Sequence, residues 1–193
     1  MTELASGMQW LVHGRSSLDD PAPLVGRLGL NLSAPRLRDE VDALLARHPM
    51  IFESTTQVAL QMRPGSADPW YESCYQEKDI APEHHYDTII PELRGSYIAE
   101  ALESFPFPVY RARLLGLTPR TCYSVHRDAT ARYHIAIKTS EHALFIFADE
   151  DRVVRVPADG DAYFVDTREV HTAMNGGREL RIHLVIAADH GTR

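Results

Sequence analysis

Val170-His171-Thr172-Ala173-Met174, then Asn175-Gly176-Gly177, then Leu180-Arg181-Ile182-His183-Leu184-Val185-Ile186-Ala187: the fold turns on this stretch. Two short runs rich in β-branched and aliphatic residues flank a turn signal, which is the pattern of strands and not of helices. The pattern recurs upstream in Val109 to Leu117, Tyr133 to Thr139, Ala143 to Phe147, Arg152 to Val156 and Ala162 to Val165. Leu117-Thr118-Pro119, Ala148-Asp149-Glu150-Asp151 and Asp159-Gly160-Asp161 punctuate these runs with further turn signals. Many short strands at close spacing predict a mainly β architecture, a sandwich or barrel, here a jelly roll of cupin-like form.

Upstream of Pro108 the character is helical. Ser33 can cap a helix that carries Pro35 in its first turn, where a missing N–H is tolerated. Leu37, Val41, Leu44 and Leu45 share one face at helical spacing, and His48-Pro49 ends the run because the residue before proline disfavours the α region. A second helix is predicted over Pro91 to Ser104, closed by Phe105-Pro106-Phe107-Pro108. Between them Arg63 to Asp87 is polar, aromatic and aperiodic, and reads as a long loop that could serve as a lid or substrate rim. The plan is one domain over residues 1–193, with 1–107 as helical and loop support and 108–190 as the β core; no linker divides them.

Bulk properties narrow the function classes. The chain has 193 residues and a formal net charge of −7, with 44% hydrophobic and 24% charged residues. An acidic surface without a dense Lys/Arg run argues against nucleic acid as a partner. Cys74 and Cys122 are the only two cysteines, too few for a disulfide framework and compatible with reduced thiols in a cytoplasmic enzyme. Met1 to Gly14 lacks the basic head and apolar stretch of a signal peptide. No apolar run approaches the roughly 20 residues that span a bilayer, so no membrane association is expected.

The chemistry-bearing segment is His126-Arg127-Asp128. Residues two apart on a strand point to the same face, so both side chains can reach one ion. With His171 they would make two imidazoles and a carboxylate with open positions, the facial triad of non-heme Fe(II) oxygenases. The tripeptide alone is a weak signal, and by itself it reads first as an exposed polar pair at a strand end. Arg181 follows His171 by ten positions across the Asn175-Gly176-Gly177 turn, and two antiparallel strands joined there would set it beside His171. Arg181, His183 and Val185 alternate with Ile182, Leu184 and Ile186, so the guanidinium faces inward. A buried guanidinium needs a partner. Either a dicarboxylate ligand supplies it bidentately, or a structural salt bridge does, for instance with Asp166.

The run from Val109 to Asp189 resembles the aspartyl/asparaginyl β-hydroxylase family of Fe(II)/2-oxoglutarate oxygenases. The likeness is carried by His126-Arg127-Asp128, Arg132-Tyr133-His134-Ile135, Asp166, His171, Asn175 and Arg181-Ile182-His183-Leu184-Val185. It implies a double-stranded β-helix, catalytic iron on His126 and His171 with Asp128 completing the triad, and 2-oxoglutarate on Arg181. Arg132 is implied as a second carboxylate contact, and His134 is a candidate co-substrate contact beside it. The implied reaction is O2-dependent hydroxylation of an amino acid, free or in a peptide; substrate choice is assigned to the N-terminal third, and the oligomeric state is not legible.

Other residues have plainer readings. His134 and His183 fit either a pocket lining or a hydrogen-bonded interior. His84-His85 reads as a solvated loop pair, and Cys122, four positions before His126, lacks the second thiol of a zinc site. Arg111 and Arg113 either grip an anionic substrate or decorate the surface. Trp70, Tyr71 and Tyr75 read as packing residues. Two rival functions also fit a jelly roll: a cupin-type metal enzyme that does not use 2-oxoglutarate, and a non-catalytic small-molecule-binding domain. Arg181 argues against the first.

Overall fold

The computed structural model describes residues 24–52, 56–75 and 80–188; the N-terminal segment read above for a leader lies outside them. In chain order these residues form β1 (Val25–Arg27), α1 (Ala34–Arg47), β2 (Gln57–Ala59), β3 (Gln61–Met62), β4 (Thr88–Ile89), α2 (Tyr97–Glu103), β5 (Val109–Leu117), β6 (Thr121–Cys122), β7 (Arg132–Lys138), β8 (Ala143–Phe147), β9 (Arg152–Val154), β10 (Tyr163–Val165), β11 (His171–Asn175) and β12 (Arg181–Ala188). A six-stranded sheet runs β1-β10-β7-β12-β5-β2 and a four-stranded sheet runs β6-β11-β8-β9, with β3 and β4 as a separate ribbon. Every pairing is antiparallel. This is the mainly β, double-stranded β-helix expected, with helices flanking one side.

The large sheet is buried on both faces, and its two faces do different work. Tyr133, Ile135 and Ile137 of β7 and Ile182, Leu184 and Ile186 of β12 pack with Leu37, Val41 and Leu44 of α1 and Ile98, Ala101 and Leu102 of α2. This is the hydrophobic layer that holds the fold together; each Leu, Ile or Val among these side chains contributes about 1.5–3 kcal/mol by leaving water. The opposite face turns toward the small sheet. There Ala136, Tyr163 and Val165 cluster with Phe145, Phe147 and Ala173 across the gap. The polar residues that alternate with the helix-side set, Arg132 and His134 on β7 and Arg181 and His183 on β12, therefore point into the space between the sheets.

Several sequence expectations need correction. β11 and β12 do not pair: β11 lies between β6 and β8, whereas β12 lies between β5 and β7. The Asn175-Gly176-Gly177 turn carries the chain from one sheet to the other. Asn175 fixes that crossing, donating from Nδ2 to the carbonyls of Leu117 (2.9 Å) and Glu179 (2.8 Å) and accepting from the Gly177 N–H (3.0 Å). The boundary at 107/108 does not separate the strands either, because β1 and β2 form the two edges of the large sheet. The helix expected over Pro91–Ser104 is broken, since Gly95 sits at φ +76 between a single 3-10 turn and α2. α2 then starts afresh with Ser96 accepting from the Ala99 N–H at 3.2 Å. Ser33 does occupy the N-cap position of α1 but makes no side-chain cap bond. No helix among the described residues is long and apolar enough to cross a membrane.

Gly160 pins the loop before β10. It lies at φ +81, and a Cβ added there would come within 1.9 Å of the Leu32 carbonyl oxygen. Leu32 N–H donates to Gly160 O at 2.7 Å, so the two backbones cannot part without losing that bond. Gly160→Ala is expected to cost at least about 2 kcal/mol, from the left-handed backbone plus the contact. A thermal melt should show a drop of roughly 5 °C or more; an unchanged midpoint would contradict this packing.

Candidate metal and co-substrate site

The segment leading into β7 brings the first two candidate ligands into place. It is extended without being a strand: His126 alone forms a bridge, with N–H···O bonds to and from His171 of 3.0 Å each, and Asp128 N–H donates to Thr167 O at 2.8 Å. Extension preserves the two-residue period, so His126 and Asp128 still share a side. The bridge sets His126 against His171, their ring centroids 4.5 Å apart. One ligating atom from each of His126, Asp128 and His171 lies within 4.8 Å of the other two.

The donor set suits a divalent ion of borderline softness. His126 Nδ1–H donates to the Ser124 carbonyl at 2.7 Å, and His171 Nδ1–H donates to the Glu169 carbonyl at 2.9 Å. A carbonyl can only accept, so both protons sit on Nδ1 and both Nε2 lone pairs are free. Burial holds His171 below the usual imidazole value, against the opposing pull of its Glu169 bond, which keeps the ring neutral and able to ligate. Asp128 supplies the anion. Its Oδ1 lies 3.8 Å from His126 Nε2, and its Oδ2 lies 3.6 Å from Arg132 Nε.

Arg181 has the environment that a dicarboxylate would complete. It is 4% exposed, its guanidinium carbon lies 5.0 Å from the centre of the Phe145 ring, and burial lowers its pKa to about 10. No carboxylate pairs with it among the described residues. Asp166, the structural partner weighed above, instead takes the Arg168 guanidinium at 2.7 Å through both oxygens. Arg181 Nη2 donates to His183 Nδ1 at 3.0 Å, while Arg181 Nε is buried with no hydrogen-bond partner. Arginine has no lone pair to offer, so His183 Nδ1 is the acceptor and its proton rests on Nε2, itself unpartnered. Both ring nitrogens of His134 are likewise buried without partners, and its ring packs on Phe145 at 4.9 Å. Burial, then the charge on Arg181, hold His134 and His183 neutral. Unsatisfied buried donors on three neighbouring side chains are costly unless something fills the space between them.

Arg132 and its surroundings were only partly legible. Its guanidinium meets Glu83 twice, Nη1 to Oε2 at 3.0 Å and Nη2 to Oε1 at 2.9 Å, in addition to Asp128. Glu83 also accepts from Arg111 Nη1 at 2.8 Å and from the Thr130 hydroxyl at 2.7 Å. Burial pushes Glu83 up, yet Arg132, Thr130 and Arg111 together outweigh it and hold the carboxyl below its ordinary value. Sequence reasoning missed Glu83: one acid in an aperiodic stretch carries no spacing signal. The far end of the Arg63–Asp87 segment therefore reaches the mouth of the site, where a cleft of about 510 Å³ is lined by Ala81, Glu83, Tyr110, Arg111, Ala129 and Thr130. Its nearer part packs elsewhere, with Trp70 stacked on His48 at 3.7 Å. His84 and His85 are exposed and touch each other edge to face at 4.4 Å. Cys74 is buried and Cys122 exposed, both free.

Comparison with known proteins shows what this chain resembles. The sequence model for aspartyl/asparaginyl β-hydroxylase matches residues 32–191, so the likeness begins in front of α1 and takes in the helical layer as well as the β core. No curated protein sequence matches the chain. Among solved structures, a truncated viral collagen prolyl hydroxylase from Paramecium bursaria Chlorella virus-1 is similar at TM-score 0.50 and 14% identity, over 92% of this chain and 100% of that one. An oxidoreductase of the 2OG-Fe(II) oxygenase family from Burkholderia pseudomallei gives TM-score 0.47 and 17% identity over 78% of this chain and 76% of that one. At 14% identity the viral enzyme speaks for the fold alone.

Proposed function

From the premise that this chain belongs to the aspartyl/asparaginyl β-hydroxylase family, we propose that it hydroxylates an amino acid, free or within a peptide, using iron on His126, Asp128 and His171 and 2-oxoglutarate on Arg181. It is an Fe(II)- and 2-oxoglutarate-dependent hydroxylase. When bound, iron and 2-oxoglutarate supply the oxidising power that inserts an oxygen atom of O2 into a C–H bond, with succinate and CO2 as co-products. The protein's part is to bind, orient and keep water out. The observation that carries the reading is Arg181, a buried cation with no carboxylate among the described residues, in the space that His171 faces from the opposite sheet.

Each residue then has a task. The carbonyls of Ser124 and Glu169 fix the tautomers of His126 and His171, so both rings present Nε2. Arg132 holds Asp128 from behind, and a co-substrate carboxylate near the metal would share that guanidinium. The Arg181 fork takes the far carboxylate, flanked by His134 and by the Nε2–H of His183, while Phe145 and Phe147 wall the chamber. A metal enzyme that does not use 2-oxoglutarate gives the Arg181 chamber no task, and a non-catalytic binding domain gives the His126, Asp128 and His171 cluster none. Free thiols at Cys74 and Cys122 suit a cytoplasmic enzyme. The test is to screen free amino acids and short peptides for succinate release with Fe(II) and 2-oxoglutarate. A protein that neither binds 2-oxoglutarate with metal nor releases succinate would end the reading.

Glu83 is the positioning residue most open to test. Glu83→Gln leaves Asp128 as the one carboxylate against Arg132 among the described residues, so the guanidinium should turn further onto Asp128 and compete with the metal for it. Loss of such an outer support costs about 10–100-fold in metal affinity or turnover. Fe(II) titration and kcat should both show it; a wild-type metal affinity would place Glu83 outside the site.

A further inference from the structure

The interior holds more positive charge than the proposed reaction uses. Arg111, Arg113, Arg132 and Arg181 are 3%, 6%, 4% and 4% exposed. Facing this cluster, among the described residues, are the carboxylates Glu83 and Asp128. A bound Fe(II) adds two positive charges and 2-oxoglutarate brings two negative ones. With both present, two positive charges remain without a counter-charge among the described residues, and buried charges are kept only when something pairs with them.

The excess lies at Arg113. Its Nε donates to the Arg111 carbonyl at 3.3 Å and its Nη1 to Gln57 Oε1 at 2.7 Å, both neutral groups. Its Nη2 has no hydrogen bond among the described residues. Arg111, by contrast, bonds through all three nitrogens, to Glu83, the Ser73 carbonyl (2.9 Å) and the Tyr75 carbonyl (3.4 Å). Cys74, the other acidic group close by, stays a neutral thiol, because burial lifts it to about 11. Burial, then the charges on Arg111 and Arg132, bring Arg113 itself down to about 9.

Backbone geometry points the same way. In the β5–β12 ladder Val185 pairs with Arg113 but Ala187 pairs with Tyr110, so β5 holds one extra residue there. Arg111 takes the strained conformation at this bulge, with φ +48, and its N–H leaves the ladder to bond Tyr86 O at 2.8 Å. Bulges of this kind re-aim side chains beside active sites, and a strained non-glycine residue persists only where its surroundings enforce it. Arg113 pairs with Val185, which pairs with His134, so all three share the face that looks between the sheets. Arg111 lines the cleft that opens at Ala129, one residue past Asp128.

Resting on the oxygenase reading above, we propose that the substrate is itself an anion, an amino acid whose carboxylate is gripped by Arg113 beside Arg111. The planar fork of Arg113, with one nitrogen edge still open, matches a carboxylate in a way that a peptide amide cannot supply. A neutral residue in mid-peptide would leave Arg113 unpaired and the interior charged, so selection falls on acids over their amides.

The experiment compares free L-amino acids with their carboxamides, together with N-acetyl-L-aspartate amide, which carries its only carboxylate on the side chain. Substrate-stimulated succinate release gives KM and kcat. Calorimetry with Mn(II) in place of iron gives 2-oxoglutarate affinity separately. An acid is expected to stimulate release at a KM on the order of 100-fold below that of its carboxamide, and the aspartate amide distinguishes an α-carboxylate from a side-chain carboxylate. Arg113→Gln should raise the KM of the acid by a similar factor and shrink the acid-to-amide ratio to below about tenfold, while 2-oxoglutarate affinity stays within a few-fold. Arg113→Lys, which keeps the charge and loses the fork, should fall between. Equal use of acids and amides would overturn the proposal. So would no stimulation by any acid in a protein that binds 2-oxoglutarate, or an Arg113→Gln variant that melts lower yet keeps the acid-to-amide ratio. If the wild-type protein does not bind 2-oxoglutarate with metal, the oxygenase reading falls first and takes this one with it.

Discussion

Arg181→Ala is expected to weaken 2-oxoglutarate binding by on the order of 10²–10³-fold while leaving metal binding in place. The magnitude follows from burial. A guanidinium 4% exposed and a carboxylate brought against it form an ion pair that water barely screens, and removing one side of such a pair costs about 3–5 kcal/mol. The direction on stability separates the roles. Among the described residues Arg181 has no counter-charge and its Nε no partner, so its removal takes away a cost as well as the His183 bond, and the melting temperature should change little. Arg181→Lys should recover part of the affinity, because an ammonium keeps the charge but not the two parallel N–H vectors. Calorimetry with Mn(II) and 2-oxoglutarate measures the affinity directly. If Arg181→Ala instead unfolds the protein and the folded fraction binds 2-oxoglutarate normally, Arg181 is a structural residue and the chamber belongs to some other ligand.

β7 and β12 were legible because burial on both faces makes apolar runs dense, and β8 and β11 because their buried residues alternate. β5 and β8 have the bounds read from sequence, and the other predicted strands shift by one to a few residues. The edges β1 and β2 are three residues each, too short to carry a period, and escaped notice. Sheet membership of β11 and β12 was misread for a physical reason. A Gly-Gly turn looks the same whether it closes a hairpin or carries the chain across a sandwich, and of the three bonds of Asn175 the one that ties the crossing to the large sheet goes to Leu117, 58 positions away. At the site, period-two logic brought His126 and Asp128 together although the segment is not a strand, because any extended backbone alternates. The alternation of β12 likewise exposed Arg181 as an inward charge. Glu83 and the bulge at Arg111 left no such trace. Each acts through long-range partners, Thr130 and Arg132 for the one and Glu83 and Tyr86 for the other, and a local pattern cannot encode them.

His126→Ala and His171→Ala are each expected to abolish turnover, and the loss should be visible first as lost metal affinity. Changing a residue that supports a ligand costs about 10–100-fold in affinity, and deleting one of the three proposed ligands should exceed that range. His171 adds a second consequence, since its backbone bridge to His126 survives the substitution while its ring does not. The fold should therefore persist, and circular dichroism should separate loss of metal from loss of structure. Asp128→Ala should also lower affinity, through two effects of the same sign. It removes the only anionic ligand of the three, and it frees Arg132 Nε to turn its charge toward the ion from 3.6 Å behind the present carboxylate. Because Arg132 keeps Glu83 as a partner, the remaining two histidines should retain weak binding. The pH profile supplies a further check with a defined sign. Protons compete with metal at Nε2 only below the pKa of each ring, and burial moves that of His171 to lower pH, so proton competition at this ligand should begin below the ordinary imidazole value of about 6.5. Metal affinity that survives the loss of either histidine would sink the assignment, whatever happened to activity.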